Sequence, residues 1–270
     1  MIPPLLRADR DGIAVLTLNR PRENNALSSE LLRSLHAEVD AISGDATVRV
    51  VVINGRGRAF CAGHDLKELR GHPDAREVAR LFRSCSDLML KLVRLPQPVI
   101  AEVDGIATAA GCQLVAQCDL AIGSTRATFA VSGITLGLFC SSPAVALSRA
   151  VARKRAAEML FTGDVVDARR ALAWGLLNRV VRSEGLRPAT MRLATRLGAK
   201  PPEVLALGKA LFYRQIEAGQ EAAYADASEI MTRNVLLPAA IEGIERFVSK
   251  SGCVGRPQPP RFARGARLRP

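Results

Sequence analysis

Two short stretches hold the residues best placed to do chemistry. Phe60-Cys61-Ala62-Gly63-His64-Asp65-Leu66-Lys67-Glu68-Leu69 and Asp104-Gly105-Ile106-Ala107-Thr108-Ala109-Ala110-Gly111-Cys112-Gln113 each follow an apolar run and pass through small residues into a helical pattern. The first N–H groups of a helix have no intrahelical partner. Two such turns can therefore aim free backbone donors at one point, as the stabilisation of a developing oxyanion requires. Two ordinary tight turns would leave the same trace, and on the residues alone both readings stay open. His64 carries the only imidazole in either stretch; it could exchange a proton near neutrality or simply be polar at a cavity rim. Asp65 suits a helix start and reads as a cap. Cys61 and His64 form a C-x-x-H with His72 beyond, but no second ligand pair of standard spacing follows, so no metal site is expected.

The flanking elements must position these turns. Ile13 to Leu18 reads as a strand ended by Asn19-Arg20-Pro21. Ser28 is then a plausible N-cap, with Glu30 in the first turn and Leu31, Leu32, Leu35, Val39 and Ile42 at helical spacing. Val48 to Ile53 is the next buried strand, Asn54-Gly55-Arg56-Gly57 a turn, and a helix opens near Asp65. Val78, Leu81, Phe82, Cys85, Leu88, Met89 and Leu92 mark one face of a longer helix that Pro96 and Pro98 close. Val99 to Val103 leads through Asp104-Gly105 to a third helix, and Leu120 to Ile122 and Thr128 to Ala130 are short strands. Strand, turn and helix thus recur about every 50 residues, an α/β pattern. Beyond residue 143 the pattern turns helical, at Ala156 to Phe161, Asp167 to Leu172, Leu186 to Leu197, Glu203 to Ile216 and Ile241 to Val248, with Pro201-Pro202 starting one helix. The expected organisation is a core over residues 1–195, a helical part over 196–250 serving as lid or oligomer contact, and a tail over 251–270.

The 270 residues suffice for one substantial core, and 48% apolar with 24% charged residues is an ordinary globular balance. No apolar run reaches the roughly 18 residues that cross a bilayer, and the start lacks the apolar core of a secretory signal. Cytoplasmic residence is expected. Six cysteines without a disulfide rhythm fit a reducing compartment. The net charge of +12 is weighted toward the end, where Arg256, Arg261, Arg264, Arg267 and Arg269 stand among prolines without an acidic residue. That tail reads as a flexible solvated end, or as a segment attracted to a polyanion. Aromatic residues at 4% offer no stacking platform, so nucleic acid is an improbable partner.

Taken together and in order, Asn19-Arg20-Pro21 with Asn25-Ala26-Leu27, Phe60 to Leu69, Gly105 to Asp119, Thr162-Gly163, Gly175-Leu176, and Gly243 with Phe247 resemble the crotonase superfamily, the enoyl-CoA hydratase/isomerase family. The Gly63-His64-Asp65-Leu66-Lys67-Glu68-Leu69 string is similar to that of its hydratase-domain-containing protein 3-like subgroup. The resemblance covers residues 10 to about 250. It implies an α/β spiral of repeated ββα units with a helical C-terminal part, a homotrimer that can pair into a hexamer, and an acyl-CoA thioester as ligand. Coenzyme A would be part of that thioester, with no separate cofactor. It further implies that the thioester oxygen lies between the N–H groups of His64 and Ala110. Arg22 matches a cation that meets the nucleotide phosphates, Ala62 and Lys67 the adenine pocket, and Phe247 with Lys250 a pair that reaches a neighbouring subunit's CoA.

The same resemblance places the family's two catalytic glutamates at Gln113 and Gly133. Paired carboxylates hold a water and move its protons because they can be tuned near neutrality; an amide cannot, and glycine has no side chain. Ser141 lies near an aspartate position of some isomerases, and Cys140, Ser141 and Ser132 could face the acyl group or merely pack a loop. Three readings follow. One is an acyl-CoA enzyme of hydratase or isomerase type that relies on the oxyanion hole, or a decarboxylase of a malonyl-type thioester. The second is a non-catalytic acyl-CoA binder, and the third, least favoured, is RNA binding.

Overall fold

In the computed structural model, residues 2–71 and 74–251 are described, Lys250 and Ser251 by their backbone alone. His72 and the basic tail from residue 252 lie outside them. In chain order the elements are β1 (Leu5–Arg10), β2 (Ile13–Leu18), α1 (Ser29–Ser43), β3 (Val50–Gly55), β4 (Ala59–Cys61), α2 (Leu66–Gly71), α3 (Ala75–Arg94), β5 (Val99–Val103), β6 (Ile106–Thr108) and α4 (Ala110–Gln117). There follow β7 (Leu120–Ser124), β8 (Thr128–Ala130), α5 (Ser141–Ala150), α6 (Arg153–Thr162), β9 (Val166–Asp167), α7 (Ala168–Ala173), β10 (Arg179–Val181), α8 (Ser183–Gly198), α9 (Pro202–Gln215), α10 (Gln220–Val235) and α11 (Pro238–Ser251). One sheet runs β1-β2-β3-β5-β7-β10 and the other β4-β6-β8-β9. Each unit places a long strand in the first sheet and a short one in the second before its helix: β3 and β4, β5 and β6, β7 and β8. That is the ββα spiral.

Alternation along the long strands covers both faces of the large sheet. Ala14, Leu16, Leu18, Val51, Ile53, Val99, Ala101 and Val103 enter the main core with α1, α3 and α4. Ile13, Val15, Val50, Val52 and Ile100 face the other way, onto Ala194, Met191 and Leu197 of α8. The helix expected behind Ser28 forms as α1, with the Ser28 hydroxyl accepting from the Leu31 N–H at 3.2 Å. The short strands β4 and β6, with three residues each, have no readable period and were not expected. Neither were α5, where Pro143 sits in the first turn, and α10, which buries Ile230 alone and so carries no apolar stripe.

The C-terminal helices are fastened to the core by one buried polar group. Lys209 of α9 donates to the carbonyls of Leu92 (2.9 Å) and Gln97 (3.0 Å) and to Asp119 Oδ2 (2.6 Å). The Tyr213 hydroxyl donates to Asp119 Oδ1 at 2.8 Å, and the Val99 N–H reaches Asp119 Oδ2 at 2.6 Å. Burial pushes the Lys209 ammonium down, while Asp119 opposes that shift. Lys209→Met leaves the half-buried Asp119 carboxylate without its cation and is expected to cost about 2 kcal/mol by denaturant unfolding.

Where β6 runs into α4, Ala109 has φ 51° and ψ −121°, a conformation that suits glycine rather than a residue with a Cβ. Ala109→Gly is expected to raise stability by about 1 kcal/mol, read as a higher denaturant midpoint.

Candidate functional site

The two turns singled out in the sequence meet. The Leu27 N–H donates to the Gly63 carbonyl at 2.7 Å and the Asp65 N–H to the Leu27 carbonyl at 3.2 Å, an isolated parallel bridge that brackets His64. Leu27 thereby occupies the groups on either side of His64 and leaves the His64 N–H unspent. Opposite stands the first residue of α4. A Cβ added to Gly63 would lie 2.9 Å from the Ala109 Cβ and 3.2 Å from the Ala110 nitrogen, and Gly63 has φ +89°. Only glycine lets these backbones approach so closely. Among the described residues, neither the His64 N–H nor the Ala110 N–H donates a hydrogen bond. Two unspent donors at adjoining backbone positions can receive one oxygen.

Asp65 behaves as a cap. Its Oδ1 accepts from the Lys67 N–H at 3.0 Å and its Oδ2 meets Arg20 at 3.0 Å. Burial opposes ionisation of Asp65, but Arg20 and the N–H groups of Glu68 and Lys67 outweigh it and hold the carboxyl below its ordinary range. The His64 ring packs edge-on against Phe82, with centroids 5.0 Å apart, and its Nδ1 is buried without a partner. Burial pushes the imidazole down to about 4, so at neutral pH His64 is uncharged and has no proton to give as an imidazolium.

Gln113, one turn into α4, is buried, and its Oε1 has no hydrogen-bond partner. Gly133 lies in a 3-10 turn, Ser132–Leu136. A Cβ there would run into the Leu138 carbonyl oxygen and stand 2.7 Å from the Cys140 Sγ. The Leu138 carbonyl and the Cys140 thiol thus fill the space that a side chain at 133 would need. Cys140 is buried, and burial raises its thiol pKa; burial likewise pushes the thiols of Cys61 and Cys112 up to about 12. Ser141 is exposed, its hydroxyl at 3.4 Å from the Phe139 carbonyl, and so turns outward. Ser132 instead pairs with Thr108 at 3.1 Å, next to the Ala109–Ala110 turn.

Arg22 and Lys67 are exposed. The Ala62 N–H donates to the Asn24 carbonyl at 3.0 Å, which sets Ala62 beside the turn carrying Arg22. Phe247 is exposed on α11, which packs chiefly on α10 and so lies apart from the cradle within one chain. The side chain of Lys250 falls outside the described residues.

Sequence reasoning named Thr108 and Asn25 only within motifs and Phe82 only on an apolar helix face, and gave none of them a role at the site. The Asn25 side chain donates to the carbonyls of Ala59 (2.7 Å) and Arg56 (3.0 Å) and accepts from the Arg20 N–H (2.9 Å), tying the first turn to β4. The asparagine itself, a residue type that tolerates the left-handed φ of 56° found there, was the available signal.

The family model for enoyl-CoA hydratase/isomerase matches residues 8–253. Mouse enoyl-CoA hydratase domain-containing protein 3, mitochondrial, is 45% identical over 241 residues, 89% of this chain and 80% of its own length. An enoyl-CoA hydratase structure from Mycobacterium smegmatis superposes with a TM-score of 0.90 at 52% identity, covering 92% of this chain and 97% of that one. The human enoyl Coenzyme A hydratase domain-containing protein 3 structure gives 0.88 at 43% identity, covering 92% and 98%. The expected cytoplasmic location is corrected by these relatives, since the mouse, rat and human proteins are all named mitochondrial. That expectation rested on the lack of a secretory apolar segment, whereas mitochondrial targeting uses amphipathic, arginine-rich segments of a different character. By the extent of the family match, the order of its motifs and the ββα spiral, this chain belongs to the enoyl-CoA hydratase/isomerase family.

Proposed function

We propose that the protein binds acyl-CoA thioesters and polarises the thioester carbonyl between the N–H groups of His64 and Ala110, without a pair of catalytic carboxylates. The observation that carries this reading is the contact of Gly63 with the Ala109–Ala110 turn, which sets two unspent backbone donors side by side. The exposed Arg22 and Lys67, with Ala62, would meet the nucleotide end of coenzyme A. No other cofactor enters this reading. Acid–base help is the missing component. Gln113 cannot ionise, residue 133 is glycine, and His64 is neutral.

A decarboxylase reading is the runner-up, favoured by the same uncharged surroundings. A carboxylate on a malonyl-type thioester would lose hydration there without gaining a cation. Breaking its carbon–carbon bond releases CO2 and moves the electron pair into a thioester enolate that the two N–H groups can hold, to be quenched by a solvent proton. This chemistry needs no strong base.

A homotrimer suits the exposed apolar side chains of Leu136, Leu138, Phe139, Phe161 and Val165, where the Phe139 and Phe161 rings lie 6.1 Å apart.

Calorimetry with butyryl-CoA tests binding: saturable binding is expected, and no binding of any CoA ester would sink the reading. Crotonyl-CoA hydration should run at least about 100-fold slower than in a two-glutamate relative. Hydration at the relative's rate would refute the absence of acid–base help. Gln113→Glu/Gly133→Glu is expected to lower the melting temperature rather than restore hydration, because the new side chain at 133 meets the Leu138 backbone. CO2 release from methylmalonyl-CoA separates the decarboxylase from a silent binder.

A further inference from the structure

Alternation along the strands puts Ile13, Val15, Val50, Val52 and Ile100 under α8, and the next positions on that face are polar. Thr17, Asn54 and Glu102 stand side by side on β2, β3 and β5, one rung beyond Val15, Val52 and Ile100. The Asn54 amide nitrogen donates to Glu102 Oε1 at 2.9 Å, and the Arg187 guanidinium meets the same oxygen at 3.4 Å. Glu102 is only 6% exposed, and among the described residues its buried Oε2 has no partner, nor has Asn54 Oδ1. Thr190 of α8 is fully buried, and its hydroxyl also lacks a partner. Its level follows from its neighbours on the helix. Arg187 reaches Glu102, and a Cβ on Gly198 would lie 3.9 Å from the Val50 Cγ2, so α8 runs back along β3. Thr190, three residues past Arg187 and leaning toward the helix start, lies over the polar rung.

Three buried oxygens that accept no hydrogen bond thus gather at the edge of an apolar layer, and one of them belongs to a carboxylate. Such oxygens destabilise a fold unless something meets them. Arg187 does so incompletely: it is half exposed, touches Oε1 at a long distance and leaves Oε2 alone. A water donates to two of the oxygens, yet leaves the charge of the carboxylate buried. A cation meets the oxygens and the charge together. The ligand set is oxygen alone and carries one charge, which suits a hard, singly charged ion. A divalent ion asks for more carboxylates, and a soft transition metal for nitrogen or sulfur.

We propose that Asn54 Oδ1, Glu102 Oε2 and the Thr190 hydroxyl hold a monovalent metal cation, sodium or potassium, between the large sheet and α8. The site is separate from the cradle and does not rest on the thioester reading. Asn54 and Glu102 each stand one residue before the end of their strand, and from there the chain passes from β3 to β4 and from β5 to β6. The ion ties those two strand ends to one another and to α8. It thereby fixes where the two cradle turns begin, as a structural ion and not as a reactant.

Thermal unfolding of the intact protein in sodium, potassium, calcium or tetramethylammonium chloride, at one ionic strength, tests this; tetramethylammonium is too large for the site. Sodium or potassium should raise the melting temperature saturably above its value in tetramethylammonium, by about 3 °C or more at about ten times the dissociation constant. Glu102→Gln should abolish that difference between salts. Arg187→Gln, a change at a half-exposed residue, removes the competing guanidinium and should lower the half-saturating concentration roughly threefold or more. Equal melting temperatures in all four salts would overturn the proposal and leave water in the site. A response to calcium alone would overturn it too, as would one that persists in Glu102→Gln, since the ion would then sit elsewhere. If Glu102→Gln does not fold, Arg187→Gln still decides: an unchanged or higher half-saturating concentration counts against the site.

Discussion

The close approach of Gly63 to the Ala109–Ala110 turn is the constraint on which the site depends. One extra carbon at Gly63 would push the two loops apart, and the two N–H groups would no longer share a target. The rest of the fold serves that approach. The long strands fix where β4 and β6 begin, the Leu27 bridge fixes the direction of the His64 N–H, and Ala109 is held in a conformation that alanine disfavours. A strained residue persists only where its surroundings over-determine it. Here the surroundings are the β6 and β8 pairing on one side and the buried start of α4 on the other.

The cradle thus combines a strong electrostatic element with neutral neighbours. His64, Cys61, Cys112 and Cys140 are all shifted by burial toward their uncharged forms. These four side chains add no charge of their own; charge beside the turn comes from the Asp65–Arg20 pair. Under the proposed function, these neutral neighbours favour binding and carbonyl polarisation over proton transfer.

Much of this was legible in the chain. The long strands and amphipathic helices show their periods, and Ser28 and Asp65 announce helix starts by residue type. The two small-residue turns could be marked as donors, yet their meeting could not be read, because it depends on pairing between strands of three residues with no period. The filling of the space at Gly133 was equally hidden. It follows from the path of the backbone at Leu138, which no side-chain pattern encodes. A cleft of about 640 Å³ beside Gln113 draws its walls from four helices scattered between residues 75 and 215, one of them, α5, not expected as a helix.

Asp119 and Tyr213 fasten α9 to the core and also line the cleft that contains Gln113. Whatever fills that space presses on the same atoms that hold the C-terminal helices down. Occupancy and docking of the C-terminal helices are therefore linked, and the linkage is reciprocal. A molecule that settles into the cleft tightens α9, and whatever holds α9 in place, including a neighbouring copy, improves the fit of that molecule.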